Sequence, residues 1–499
     1  MPVNTPCSDY KAYSSKWQRL RDCDGGKDTV LAAGAAYCPD LPGADGGANA
    51  AYRLRGNYYN ATKRTVNGMV GSLFRLAPDV KTAAAVKPYL DDISNSDVTF
   101  ETFSNQVGRE VVLLNRCGVL IDLPATPVGV PPARPYCVFY TAEDIINWQT
   151  YSKDGDKLLR MLVLREIETI IDPNDKFQWV TRNRFRVIEL IDGACTQTIY
   201  TMNDKKEYVP GATVTVSRRG TPLDYIPFVM IPGLDLEDPS LLDLADVNLA
   251  HWRNSVDHEH GLHLVALPTP WVAGLKSVPA DGKVKMGPAT VWDIDVQGKA
   301  GMLEFTGEGL GSLVTAMDEK KKQMATLGAR LLEDQAQADE TATAVRARHA
   351  GEHSTLQSMA QALELGLKRV LQIVTWWVGV DAKPSDVSSV SVEINKEFLV
   401  IKASSTDVKA ALEALQDERI SFETWYDFLR RGGWTRENVS ADEELAAIEK
   451  DMKLREEREP EPAVVPPTPP PGKKVRTVKD AAGNIKYQIE DEDVPVAAA

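Results

Sequence analysis

The chain has 499 residues and a net charge of −14, because 71 Asp and Glu residues outnumber 57 Lys and Arg residues. With 43% hydrophobic and 26% charged residues, its composition is that of a folded protein of about two to four domains, which excludes global disorder. The acidic balance also excludes a strongly basic protein that grips the phosphate backbone of a nucleic acid. It leaves open a protein that lets DNA pass without holding it.

Membrane and disulfide-rich proteins are not expected either. No run of about 18 apolar residues occurs, so the sequence predicts no membrane span. Residues 1–10 lack the charged start and apolar run of a signal peptide. The six cysteines form no Cys-x-x-Cys pair. We therefore predict reduced, mostly buried thiols in a cytoplasmic protein.

The first half of the chain has the pattern of an α+β region. Residues 1–50 are punctuated by glycine and predict an irregular segment. Helices are predicted over 52–75 and 99–117, the second with apolar residues at spacings of three and four. A short strand is expected at 119–122, and residues 136–231 are mainly strand-like, which indicates an antiparallel sheet.

Long helices dominate the second half. Residues 240–266 predict a rod of about 40 Å, which ends before two closely spaced prolines. Short strand candidates broken by Gly and Pro fill 267–305. A second helix is predicted over 310–333, where Leu310, Met317, Met324 and Leu331 lie seven residues apart and form a narrow packing seam.

The remainder alternates between helices and polar segments. Residues 334–341 are polar and interrupt the helical pattern before a third long helix at 342–377. A strand is expected at 390–394, and two or three helices occupy 405–458. Seven of the twelve residues from 460 to 471 are proline, a composition that favours extended polyproline II and builds no core. Residues 459–499 are therefore predicted to be a disordered tail.

A histidine cluster is the strongest indication of an enzyme. Four of the six histidines lie within thirteen positions: His251, His258, His260 and His263. A metalloprotease helix needs His-Glu-x-x-His, but Leu262 stands where the second histidine should be, and His263 is turned off that face. His260 and His263 could still share a metal. The polar face of a long helix is the favoured interpretation, and a metal-dependent hydrolase that uses His258, His260 and His263 is the remote alternative.

Two further motifs have simpler explanations than catalysis. Residues 307–312 are rich in glycine but lack the Gly-Lys-Ser/Thr ending of a phosphate loop, so they more simply bend the chain into the next helix. Lys320, Lys321 and Lys322 follow an acidic pair and predict a solvated helix face. In a ring of subunits the same lysines could instead form a positive collar.

The order of these segments resembles the portal protein of tailed bacteriophages, over roughly residues 50–435. The stretches that resemble the family are YRLRGNYYN (52–60), VGSLFR (70–75), GVLIDLP (118–124), DIINW (144–148), DLADVNLAHW (243–252) and LGARLL (327–332). Each stretch alone is a weak signal, whereas their order and spacing together are fairly specific.

The resemblance implies an α+β portal-type subunit that assembles as a ring. The implied parts are a wing (51–239 and 342–404, the latter with the long helix and a strand), two stem helices (240–266 and 306–333), a small α/β clip (267–305), a tunnel loop (334–341) and a helical crown (405–458). Residues 1–50 and 459–499 have no clear counterpart. The tunnel-loop residues implied to line the channel are Asp334, Gln335, Gln337, Asp339, Glu340 and Thr341.

The implied function is structural. Portals form a homo-oligomeric ring of about twelve subunits at one capsid vertex of the virion, assembled in the host cytoplasm, through which double-stranded DNA is packaged and ejected. The implied partners are the terminase, the major capsid protein and scaffold, and head-completion or tail adaptor proteins. No catalytic residue, cofactor or metal is implied, and no segment is suited to hydrolyse ATP. Another ring or adaptor protein of a phage particle is the alternative.

Elementary physics agrees with a ring. A helix that carries an apolar seam leaves that seam in water unless a neighbour covers it. An acidic channel would repel the phosphate backbone and so lower the friction on passing DNA.

Overall fold

The computed structural model describes residues 2–123, 134–172, 175–267, 269–277, 291–303, 307–328, 342–379, 383–384, 387–396, 398, 405–431, 433–435, 439, 441–458, 468–480 and 483–491. The chain divides into two compact units, residues 1–398 and 399–499. In the part described, no helix combines the length and the apolarity needed to cross a membrane.

The first unit contains nine of the described helices. They are α1 (Ser8–Gly25), α2 (Lys27–Ala33), α3 (Gly46–Arg55), α4 (Ala61–Leu73), α5 (Lys87–Leu90), α6 (Phe100–Leu114), α7 (Leu242–Ala266), α8 (Leu310–Leu327) and α9 (Ala342–Val378).

Fourteen described strands accompany these helices. They are β1 (Asp79–Lys81), β2 (Cys117–Asp122), β3 (Tyr136–Thr141), β4 (Ile145–Lys153), β5 (Asp156–Asp172), β6 (Asp175–Ile191), β7 (Ala194–Met202), β8 (Tyr208–Thr215), β9 (Ser217–Arg218), β10 (Thr221–Pro222), β11 (Phe228–Ile231), β12 (Thr269–Leu275), β13 (Ile294–Leu303) and β14 (Ser391–Glu393).

Two antiparallel sheets form the β part of the region. Strands β4 to β8 make a five-stranded meander, and β2 lies between β11 and β3 in a three-stranded sheet. Helices α6 and α9 pack with this smaller sheet in the main core, and Gly366 of α9 lies so close to Ile231 that an added Cβ would be 2.7 Å from Ile231 Cγ1. The predicted mixture of α and β structure, with an antiparallel sheet in the first half, is confirmed.

The interpretation of residues 1–50 as irregular is wrong. They contain α1, α2 and the first half of α3, and Trp17 and Leu20 of α1 are fully buried. The glycines that suggested irregular structure stand at helix ends instead. Gly26, for example, has a φ of 100° and separates α1 from α2, a conformation that costs glycine little.

The helix predicted over 52–75 is broken into α3 and α4. At the break, Gly56 lies against α7, and an added Cβ would be only 2.4 Å from Val256 Cγ2 and 3.1 Å from Trp252 Nε1. The side chain of Asn60 then caps α4 by accepting a hydrogen bond from the Lys63 N–H at 3.0 Å. The break therefore follows from tertiary packing that helical periodicity does not encode.

Strands β5 and β6 are longer than the strands predicted at 158–166 and 177–190. Each has 17 residues, and the outer half of the ribbon they form is exposed. Its inner half is fixed by ion pairs, since Arg186 Nε lies 2.6 Å from Glu166 Oε1 and Arg186 Nη1 lies 2.8 Å from Asp122 Oδ2. Burial alone would raise the pKa of Glu166, but Arg186 outweighs that effect and lowers it.

The second unit combines helices with a terminal hairpin. Its elements are α10 (Ser405–Gln416), α11 (Phe422–Arg431), α12 (Ala441–Arg458), β15 (Lys473–Lys479) and β16 (Ile485–Asp491). The prediction of a disordered tail over 459–499 is wrong for the hairpin, in which β15 and β16 pair over seven residues. The alternation of apolar and polar residues on both sides of Gly483 was the available signal for it.

Candidate functional site

The arm, defined here as α7, β12, β13 and α8, is the part of the chain that most resembles a functional surface. Helices α7 and α8 run antiparallel, because Gly261 of α7 lies against Leu310 of α8 while His251 lies near Lys320 and Lys321. Strands β12 and β13 pair antiparallel between them. A small α/β clip was expected over 267–305, but the part of it that the structure describes is this hairpin alone.

The base of the arm is anchored in the core. The residues of α7 that face the core recur every three or four positions, as predicted: Ala245, Leu249, Trp252 and Val256 are all buried. Asn248, fully buried beside them, donates a hydrogen bond to the Tyr59 carbonyl at 2.7 Å and accepts one from the Thr62 N–H at 3.2 Å. These contacts tie α7 to α4, so the arm has a fixed base.

The seam predicted along α8 does not face outward. Met324 is fully buried, and Leu310 packs against Gly261 of α7, where an added Cβ would be 2.6 Å from Leu310 Cδ2. Leu331, the last residue of the predicted seam, lies outside the described residues. The seam is thus covered largely within one chain, which corrects the expectation that a neighbouring copy must cover it.

Other apolar side chains of the arm are exposed instead. On the helices they are Leu262, Leu264, Val314 and Leu327, and on the β-hairpin and beside it they are Leu267, Trp271, Val291, Val296, Met302 and Leu303. Val291 and Val296 are each more than 90% exposed. A continuous series of exposed apolar residues on one projection is typical of an interaction surface.

The four α7 histidines are spread over different environments. His251 is buried, His260 packs edge-on against the Tyr52 ring at 5.2 Å between centroids, and His263 is exposed. The nearest acidic group to His258 is Glu259, at 3.9 Å between Nδ1 and Oε1. Among the residues described, no three His, Cys, Asp or Glu side chains are placed to hold a metal ion. The hydrolase alternative therefore has no assembled centre on this helix.

The predicted lysine collar is only partly exposed. Lys320 is half-buried, whereas Lys321 and Lys322 are exposed, and Lys321 Nζ lies 3.3 Å from Asp318 Oδ1. The tunnel-loop residues Asp334, Gln335, Gln337, Asp339, Glu340 and Thr341 all lie outside the described residues.

His251 is a buried titratable group between α7 and α8. Neither ring nitrogen has a hydrogen-bond partner among the described residues, and the Tyr59 ring lies 5.8 Å away between centroids. Burial, with smaller contributions from Lys321 and Lys320, lowers the pKa of His251 from 6.5 to about 4. Between these values the unfolded chain binds more protons than the folded one, so stability falls as the pH falls.

This environment gives a pH prediction. Between pH 7 and pH 5 the natural protein should lose about 2 kcal/mol more unfolding free energy than His251→Leu, because leucine removes the buried group that must stay neutral. Urea denaturation of both proteins at the two pH values measures the difference. An equal pH dependence in the two proteins would contradict the assignment.

The β5–β6 ribbon carries a second apolar surface that the sequence analysis missed. Ile167, Ile171, Phe177 and Trp179 are exposed, and the pairing of Ile171 with Trp179 places these residues on one face. The signal was present in the alternation of these residues with charged ones along both strands. The motif search overlooked it because it looked for catalytic groups.

Comparisons with known proteins give one family and several structures. The family described as a domain of unknown function, DUF4055, matches residues 240–378, which include the arm and α9. No curated protein matches the chain. The neck of an empty GTA (gene transfer agent) particle, computed with C6 symmetry, is 11% identical and covers 77% of this chain and 93% of its own, with a TM-score of 0.35.

Two further structures are similar at the same level. The virion of a native GTA particle is 10% identical over 78% of this chain and 94% of its own, with a TM-score of 0.32. The neck of a native GTA particle, computed with C12 symmetry, is 10% identical over 74% of this chain and 89% of its own, also with a TM-score of 0.32. Because these scores lie below 0.5, the function proposed next is argued from the arm and the sequence.

Proposed function

We propose that the chain is the subunit of a portal-type ring, a channel at one capsid vertex of a phage-like virion through which double-stranded DNA enters and leaves. The arm is the observation that carries this proposal. Its two antiparallel helices and their β-hairpin expose apolar side chains that one copy leaves in water. In a ring, one surface of each copy meets a different surface of the next, so closure covers them all.

In this proposal the segments have distinct roles. The wing is formed by residues 51–239 and 342–404, the stem by 240–266 and 306–333, the clip by 267–305, the tunnel loop by 334–341, and the crown by 405–458. Residues 1–50 join the wing, because Arg21 of α1 pairs with Glu110 of α6 at 2.8 Å and with Glu143 at 2.9 Å.

Charge and partners follow from the same proposal. A subunit of net charge −14 makes a channel that repels the DNA backbone. The chain has no phosphate loop that ends in Gly-Lys-Ser/Thr, so a terminase supplies the ATP-driven force. The clip docks the terminase and later the head-completion or tail adaptor proteins, while the wing meets the major capsid protein and scaffold.

The position of the chain in the particle tests the proposal against its alternative. Cryo-electron microscopy of the virion should place this chain inside the capsid shell at a single vertex. Density for it only below the shell would favour another ring or adaptor protein of the neck instead.

The tunnel loop gives a second test. A cysteine at Gln337 should crosslink to a neighbouring copy, or to DNA trapped in packaged heads, because a polar segment between two helices is proposed to project into the channel. A cysteine at Gln323 on α8 serves as the control and should not reach DNA with the same yield. Free labelling of the Gln337 cysteine from outside filled capsids, with no crosslink to DNA, would contradict the assignment.

A further inference from the structure

The terminal β15–β16 hairpin is too small to account for its own stability. It has two strands of seven residues, and its described residues are nearly all exposed or half-buried. An isolated two-stranded hairpin is at best marginally stable in water and needs a third strand or a packed face. A covering partner is therefore expected.

The hydrogen-bond pattern leaves both edges of the hairpin available. The Asp480 N–H donates to the Asn484 carbonyl at 3.0 Å, which makes that pair a hydrogen-bonded one. Alternation along an antiparallel ladder then directs the backbone groups of Val475, Thr477 and Lys479 away from β16. On β16 the groups of the residues opposite them, 485, 487 and 489, point away from β15.

The charges of the two strands are complementary. Four basic residues and no acidic one lie on β15: Lys473, Lys474, Arg476 and Lys479. The end of β16 carries Glu490 and Asp491. Within one hairpin Lys473 Nζ lies 3.4 Å from Asp491 Oδ1, and Arg476 Nη1 lies 3.7 Å from Glu490 Oε1. Two β15 strands side by side would oppose like charges, which is destabilising.

We propose that the hairpins of neighbouring copies join edge to edge, β16 of one copy against β15 of the next, in the register that each hairpin already uses internally. That register pairs Ile489 with Val475 and Asp491 with Lys473 between copies, as it does within one. The outward backbone groups of both edges are then satisfied, and the apolar face that carries Val475, Tyr487 and Ile489 becomes continuous. The partner is a second copy of this chain.

The tether makes such a contact possible. Fifteen residues lead from Arg458 to Lys473, and their proline-rich sequence gives an extended reach of about 45 Å at ~3.1 Å per residue. The inference rests on the proposed ring, which holds neighbouring copies close together. The contact is head-to-tail, so it closes with the ring rather than ending in pairs.

Two single-cysteine chains test the contact. Val475→Cys and Ile489→Cys chains, co-expressed as full-length protein, should form a disulfide-linked dimer whose yield does not change on dilution. Each variant alone should give none, because two copies of the same position lie about two strand spacings, roughly 10 Å, apart. Arg476→Cys with Ile489→Cys is the control, since those side chains point to opposite faces of the sheet.

Thr477→Pro gives the sharper test. It removes an outward N–H while leaving the internal ladder intact, so dimer yield should fall roughly tenfold, whereas Thr477→Val, which keeps the N–H, should leave the yield unchanged. A chain with both Val475→Cys and Ile489→Cys, and with Thr477→Pro, should still form its internal disulfide, which shows that the hairpin is folded.

The mass of the assembly, measured on the same samples, separates the two proposals. Rings that give no mixed dimer, dimers from one variant alone, or no effect of Thr477→Pro would each overturn the hairpin contact and leave the ring standing. Monomers in every sample would overturn the ring itself.

Discussion

Replacing Trp252 by alanine is expected to lower the free energy of unfolding by about 3–5 kcal/mol, the range for a fully buried tryptophan. Trp252 is 0% exposed and lies where α7 meets Gly56, at the base of the arm. The substitution opens a cavity at this point, and the arm loses part of its anchor. Denaturant titration should show the loss as a lower transition midpoint.

Trp179→Ala is the matched control for this substitution. Trp179 is 67% exposed on the β5–β6 ribbon, so its removal should change stability by no more than about 0.5 kcal/mol. A small effect of Trp252→Ala, comparable to that of the control, would mean that α7 does not anchor the arm in this way.

The double substitution Leu264→Asp with Val314→Asp is expected to abolish ring assembly while the chain stays folded. Both side chains are exposed on the helices of the arm, so an aspartate there remains hydrated in the monomer. At a closed interface the same aspartates would be buried without a partner, which costs several kcal/mol per charge. Light scattering coupled to gel filtration should therefore report monomer mass, and circular dichroism should match the natural protein.

Gln323→Asp tests whether added charge alone has this effect. Gln323 is an exposed polar residue of α8, and this variant should still form rings. If the double variant also keeps its rings, the subunit interface does not include these residues of the arm.

The elements predicted best from the sequence are those with a long, unbroken apolar period. In α7 the series Ala245, Leu249, Trp252 and Val256 marks the buried face correctly, and α9 shows the same agreement. In residues 1–50 the glycines concealed three helices, because a glycine at a helix end looks the same in sequence as one in a loop.

The candidate surface was less predictable than the helices. Met317 and Met324 form a regular seam in sequence, yet Met324 is buried within its own chain and Met317 is half-buried, and the exposed apolar residues of α8 are Val314 and Leu327. Periodicity identifies an apolar face but not which neighbour covers it, since a helix of the same chain and a second subunit require the same pattern. Only the position of α7 against α8 decides between the two.

One measurement tests the central claim most directly: negative-stain electron microscopy of the purified full-length protein, with its mass in solution measured at several ionic strengths. The account predicts closed rings with a central channel and a mass that is a fixed multiple of 54.9 kDa. A monomer mass at micromolar concentration at every ionic strength, with no rings in the images, would contradict the portal assignment.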